Sequence, residues 1–518
     1  MSSLRSRSLL LVLALAMAWP QGLPRAQGSG SQLPSLGESA SDDFDVTTER
    51  RLGQQIMREV WQDPEYLDDP VLQEYLQSLW TPLVTASRRL GNITPDIDAA
   101  FDFDIFQVRA RSVNAFALPG GHMGVHLGLI AMTERAEELA SVLAHELSHV
   151  TQRHIARRIG DASRTSMVGL AAMIIGLLAA SRAGSPDAAQ AAIVGGQAAM
   201  LQGQLNFSRD MEREADRIGF NVLDASGFNA WGMALMFDKL SLTGRLNDDG
   251  AFPYLRTHPL TTERIAEARS RVSGRPPDTS LPGVHALMRA RARVLMDESA
   301  TELQRLEPNA VPENAPAIDR LAGLYTQALA SSQLNDTTEA LRAADAALQL
   351  SAGPEFDLAI RRAVARLAAE VRLKAGQPER ARQALDLAEA SAGRPGLLLQ
   401  AQLALADAQR GRGAARLRPT AEALQVWCAD HPRDAAAWNA LAQVADAAGL
   451  PLRAQRARAE ASWAIGDLEG AITRMRVSQR DAAPGGGAEP IELQVIDARL
   501  RDWQRVLREE RESARMGR

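Results

Sequence analysis

The sequence predicts a mainly α chain in two parts: an α+β domain with a small antiparallel sheet, then an α-solenoid. Strand character gathers around Pro119-Gly120-Gly121, a turn signal between short apolar runs. Long stretches without Pro or Gly, with apolar residues at three- and four-residue steps, surround it. Past about residue 316 the composition turns rich in alanine, leucine and arginine, and glycines recur at a near-constant interval. At 518 residues the chain exceeds what one core usually organises.

At the N-terminus, Arg5 and Arg7 precede an apolar run from Leu9 to Trp19, with Ala16-Met17-Ala18 or Ala26 as cleavage points. This is the pattern of a secretory signal peptide, too short to span a membrane comfortably, so residues 1–26 are set apart from the fold. No cysteine stands near it, which excludes lipid attachment there, and the single Cys428 excludes an internal disulfide. The formal charge of −5 and 4% aromatic content exclude a phosphate-neutralising or base-stacking surface, hence nucleic acid as a partner. An exported chain with almost no cysteine fits a bacterial periplasm.

Phe101 to Val108 alternates imperfectly, and Ser112–Leu118 and His122–Leu127 flank the Pro-Gly-Gly turn, so an antiparallel meander is expected. An unpaired strand there would bind an extended peptide through its backbone. An ordinary sheet edge is the plain alternative.

Thr133 to Arg158 reads as one helix carrying His145-Glu146-Leu147-Ser148-His149. Residues four apart share a helical face, so both imidazoles can reach one tetrahedral Zn²⁺. Glu146, beside the first histidine, is placed to take a proton from the attacking water. His154, five residues beyond His149, falls about 140° around the helix and off that face. Further on, Glu212 and Asp216 share a face of a second helix, Met211–Leu223. Read from the residues alone, a solvated helix with Glu–Arg pairs among Glu212, Arg213, Glu214 and Arg217 is the stronger account.

HELSH followed by Glu212-Arg213-Glu214-Ala215-Asp216 resembles the HExxH…ExxAD pattern of the zinc metallopeptidases related to the CAAX prenyl endopeptidase, a gluzincin group. Asn114-Ala115-Phe116-Ala117-Leu118-Pro119-Gly120-Gly121 is similar to that family's segment at an edge strand bordering the cleft, and the likeness spans about residues 45–270. The resemblance implies one zinc per chain on His145, His149 and Glu212, with Glu146 and Asp216 catalytic and Asn114, Ala115 and Phe116 lining the substrate strand. His258, in Leu255-Arg256-Thr257-His258-Pro259, matches a family segment too. It is a candidate fourth ligand or regulator, or simply the residue before the next helix, which starts at Thr261-Thr262-Glu263-Arg264.

Met167–Ala180 is the strongest apolar segment after the signal peptide; as a helix it reaches about 21 Å, short of a hydrocarbon core of roughly 30 Å. With Ala191–Leu201 it suggests a helical hairpin, either buried or in peripheral contact with a membrane through 167–201. Ser273-Gly274-Arg275-Pro276-Pro277 and Pro308–Pro316 flank a helix over Val284–Leu306, so 27–272 reads as the metalloprotease domain and 273–316 as a linker with a helix.

Gly376, Gly413 and Gly449 are 37 and 36 apart, and Pro432 and Trp438 are six apart. The pattern resembles about four degenerate tetratricopeptide repeats over 317–480, a scaffold for peptides or partner proteins. A flexible link and a C-terminal helix (Ile491–Glu510) fill 481–518. The combination of peptidase and repeats is similar to periplasmic members of the family. That likeness implies a zinc endopeptidase in quality control and assembly of outer-membrane proteins, its repeats docking on the assembly machinery. The alternatives are a chaperone or adaptor whose repeats carry the function, with latent proteolysis, and a closed structural zinc site.

Overall fold

The computed structural model describes residues 44–160, 208–246, 252–273, 283–306, 312, 314–481 and 490–516. The signal segment 1–26, the apolar segment 167–201 and most of the link at 481–490 lie outside these residues.

Helix α1 (Val46–Val60) starts on Asp45, whose carboxylate accepts from the Thr48 amide, and buries Leu52, Ile56 and Met57. Strand β1 (Tyr66–Leu67) leads to α2 (Pro70–Arg89), α3 (Pro95–Ala100) and then β2 (Ile105–Val108), β3 (Ala115–Leu118) and β4 (His122–His126). The sheet order is β1-β2-β4-β3. β3 and β4 form the expected antiparallel hairpin, turning at Gly120 and Gly121, whose φ values of 81° and 88° call for glycine.

β2, however, runs parallel to β4, from Ile105 beside Met123 to Val108 beside His126. The sheet is therefore mixed, and the expected antiparallel meander is corrected. The burial pattern gives the reason. Every residue of β2 and β4 is buried, as in a central parallel pair covered on both faces, which erases the period-two signal. β3 is left at the edge of the sheet.

After α4 (Leu127–Met132) comes α5 (Ala136–Thr151), which carries the HELSH motif and is buried along almost its whole length. The single helix expected over 133–158 is two. The chain breaks at Gln152-Arg153, where Arg153 takes φ +50°, and α6 (His154–Gly160) follows. The Arg153 guanidinium holds the break by reaching the buried Glu49 carboxylate at 3.0 Å and the Phe44 carbonyl at 2.5 Å.

Helices α7 (Arg209–Ala225), α8 (Trp231–Leu246), α9 (Pro253–Thr257) and α10 (Thr262–Arg271) complete the shell around α5. The segment read as a linker holds α11 (His285–Leu295) and α12 (Ala300–Leu306). α11 is buried: the Tyr75 hydroxyl donates to His285 Nδ1, and Arg291 grips Asp69 through two nitrogens while also reaching Glu370. One apolar core accordingly runs without interruption from Val71 to Leu403.

Four helix pairs follow: α13 (Ala317–Gln333) with α14 (Thr337–Ser351), α15 (Leu358–Lys374) with α16 (Pro378–Leu385), α17 (Gly393–Gln409) with α18 (Ala414–Asp430), and α19 (Ala435–Ala447) with α20 (Pro451–Ala464). Gly376, Gly413 and Gly449 sit in the turns inside the last three pairs, all at positive φ. Asn335 takes the equivalent left-handed place in the first, where no glycine marks the sequence. Alanines fill the seams (Ala340, Ala343, Ala344, Ala347, Ala437, Ala442, Ala457, Ala461), so helices approach closely. α21 (Leu468–Asp481) and α22 (Pro490–Met516) close the array, with Trp503 of α22 buried beside Trp463. No helix among the described residues is long and apolar enough to cross a membrane.

Candidate metal centre

Glycine sets the distance between α5 and α7. A Cβ on Gly219 would stand 3.1 Å from the Ala144 carbonyl and the His145 Cα. The close approach presses the α7 face bearing Glu212 and Asp216 onto the α5 face bearing His145 and His149. In the sequence Gly219 is the one glycine in an otherwise helical stretch, the signal that marks such a contact.

His145 Nε2 and His149 Nε2 lie 3.0 Å apart, and carboxylate oxygens of Glu212 lie 3.5 and 3.6 Å from them. His258, which ends α9, brings Nδ1 to 3.0 Å from Glu212 and 3.4 Å from His145 Nε2. Donor atoms of these four buried residues all fall within 4.8 Å of one another. Ligands at 2.0–2.1 Å from a tetrahedral ion are separated by about 3.3 Å, so the observed spacings fit zinc, and three imidazoles with a carboxylate are its ordinary donors. Glu146, 1% exposed, lies beside this cluster; its Oε1 is 3.3 Å from His258 Nε2 and has no hydrogen-bond partner among the described residues.

Charge explains the rest of the arrangement. The Asp216 carboxylate lies 2.9 Å from His145 Nδ1, which leaves Nε2 facing the other donors. Both Asp216 oxygens also accept from Arg264, at 2.6 and 2.8 Å, and a third nitrogen of that guanidinium stands 2.8 Å from Glu212. Burial would raise the Asp216 carboxyl, but the bonds to Arg264 and His145 hold it below the usual carboxylate range. Asp216 is therefore a fixed anion that orients His145. Burial would likewise depress His145, yet Asp216 and Glu212 lift it to about 10. That demand for positive charge at Nε2 is one a divalent ion satisfies. Against burial, the imidazoles of His258 and His145 keep the Glu212 carboxyl far down. Glu146 is pushed up by burial, as suits a proton acceptor that must later give the proton back.

The structure thus gathers His145, Glu146, His149, Glu212, Asp216 and His258, and sets Asn114, Ala115 and Phe116 at the start of edge strand β3. The solvated-helix account of α7 does not describe it: Glu212 and Asp216 are buried, and Glu214 bonds His154 and Arg157 instead. Arg264 escaped the sequence reading, as did Tyr254, whose ring stacks on His258 with centroids 4.7 Å apart. His154 also departs from expectation. The break at Arg153 swings it back beneath the metal ligands, with Nδ1 2.8 Å from His149 Nδ1.

With an HExxH helix, a carboxylate donor from a second helix and a buried glutamate beside them, the chain is a metallopeptidase. The model of peptidase family M48 matches residues 84–272. The beta-barrel assembly-enhancing protease of Escherichia coli K12 is 30% identical over 506 residues, 97% of each chain, and the one from Yersinia pestis 29% identical over 97% of this chain and 99% of its own. A putative beta-barrel assembly-enhancing protease of Vibrio cholerae is 37% identical over 55% of this chain and 56% of its own length. The chain belongs to the beta-barrel assembly-enhancing protease family of M48 metallopeptidases.

Proposed function

We propose that this chain is a zinc endopeptidase of the bacterial envelope, exported by residues 1–26, that acts in assembly and quality control of outer-membrane proteins. Relatives that the chain covers over nearly their full length are named beta-barrel assembly-enhancing proteases, which supports the assembly role. The observation that carries the chemistry is the convergence of donor atoms from His145, His149, Glu212 and His258 beside the buried Glu146.

His145, His149 and Glu212 would hold a zinc ion, which would supply Lewis acidity to polarise the scissile carbonyl and bring the pKa of water to around 7. Glu146 takes the water's proton and delivers it to the departing amine. Asp216 keeps the His145 ring turned so that Nε2 faces inward, and Arg264 keeps Asp216 and Glu212 ionised. Asn114, just ahead of β3, and Ala115 and Phe116 on it hold the substrate as an added, extended strand. His258 would serve as a fourth donor in competition with water, and so would restrain cleavage until it moves. The repeats dock on the outer-membrane assembly machinery, and 167–201 touches the membrane surface.

The test is zinc content and casein cleavage of purified protein. Wild type should carry about one zinc and cleave, whereas Glu146→Gln should keep zinc and lose about 10²–10⁴ in rate. A Glu146→Gln chain that still restores outer-membrane assembly in cells lacking the protein would transfer the role to the repeats. His258→Ala should cleave faster than wild type at equal zinc.

A further inference from the structure

The two histidines of HELSH are backed by different chemistry. His145 leans on a carboxylate. His149 Nδ1 instead meets a third imidazole, His154, which is wholly buried and whose Nε2 lies 3.0 Å from the Glu214 carboxylate, itself 3.0 Å from Arg157. The bonding pattern fixes the protons along this line. An ionised Glu214 carboxylate can only accept, so His154 carries its proton on Nε2 and offers a lone pair at Nδ1. His149 must then donate from Nδ1, which leaves its Nε2 lone pair for a metal. We infer that His154 is a positioning residue: through the Glu214–His154–His149 line it holds the second ligand in its metal-binding tautomer and orientation.

The backbone is bent to make this line. On an unbroken helix His154 would point about 140° away from His149. It reaches Nδ1 because Arg153 adopts φ +50°, a left-handed conformation unfavourable for arginine, pinned by Glu49 of α1. Strain maintained by a partly buried ion pair from a distant helix, directly between the motif and its backing ring, points to use at the site rather than to packing alone. A neutral imidazole is a weaker acceptor than a carboxylate, so His149 is the less basic of the two ligands and the more dependent on its partner being present.

The inference rests on His149 being a ligand, and the experiment separates the two. Full-length protein is stripped with a chelator, and zinc affinity is measured by competition together with the melting temperature of the stripped protein. His149→Ala should lose tight zinc binding; unchanged affinity there would remove the ligand reading itself. His154→Phe, which keeps ring volume, should weaken zinc about 10–100-fold. His154→Gln, which can accept from His149 and donate to Glu214, should recover most of that loss. Glu49→Gln, which loosens the break, should weaken zinc by a smaller factor in the same direction. Zinc affinity of His154→Phe equal to wild type overturns the inference. So does a His154→Gln as weak as His154→Phe with an equal fall in the stripped protein's melting temperature, since that result marks a packing role.

Discussion

The peptidase half and the repeat half are both helical, yet the balance of buried charge and buried methyl groups differs between them. Around α5 the buried interior contains Glu146, Glu212, Asp216, Arg264 and the imidazoles of His145, His149, His154 and His258, each needing a specific partner. In the repeats the helix seams are largely alanine on alanine; a few buried pairs such as Arg456 with Glu492 lie among them, and others such as Arg458 with Asp446 stay at the surface. Where burial is of charge, one substitution strands its partner. Where burial is of methyl groups, cost follows the volume removed. The first arrangement makes chemistry available, and the second makes a scaffold that tolerates drift.

The largest break should come from Arg264→Leu. It leaves Asp216 and Glu212 buried without their counter-charge, for a loss of about 3–5 kcal/mol in metal-stripped protein, measured by urea unfolding. Zinc should partly offset that loss, because it binds the folded state.

Acid should next distinguish the halves. Seven of the eight histidines precede residue 286, and the only one in the repeats is His431, which is exposed. Burial holds His285 down at about 3, with Nε2 donating to the Thr133 carbonyl. The unfolded chain, with a value near 6.5, binds the extra proton first. Stability from this residue is therefore complete above about pH 6.5 and lost as pH falls toward 3, by on the order of 4 kcal/mol. Unfolding followed at several pH values, with His285→Gln flattening that window, checks the sign.

In the repeats, Leu441→Ala should cost about 3 kcal/mol through the cavity it opens, while zinc content stays at the wild-type level. A parallel loss of zinc would show the halves to be more tightly joined than their chemistry suggests. The smallest effect belongs to Gly449→Ala. Nothing lies within 4 Å of the added methyl, so only the left-handed backbone, φ +71°, opposes it, at about 1 kcal/mol by thermal melting.

The contrast also governs what could be read in advance. The HELSH and EREAD spacings, the Pro119-Gly120-Gly121 turn and the glycine interval are local patterns, and each marks an element the structure contains. The parallel pairing of β2 with β4 was hidden because burial on both faces removes alternation. The break at Arg153 was hidden because its cause is Glu49, a hundred residues earlier. His154 was placed off the ligand face for that reason alone. Arg264 and α11 act through partners distant in sequence: Glu212 and Asp216 for one, Tyr75 and Asp69 for the other. No local pattern reports such pairings.

α11 carries one more lesson. A chain severed at residue 272 would end tidily by eye, after the last helix of the matched peptidase region. It would also strip Tyr75 of its acceptor and Asp69 of its guanidinium, and expose the apolar flank of α2. Protein expressed that way should precipitate or melt early, and grafting a foreign repeat array onto this peptidase would require transplanting residues 283–306 with it.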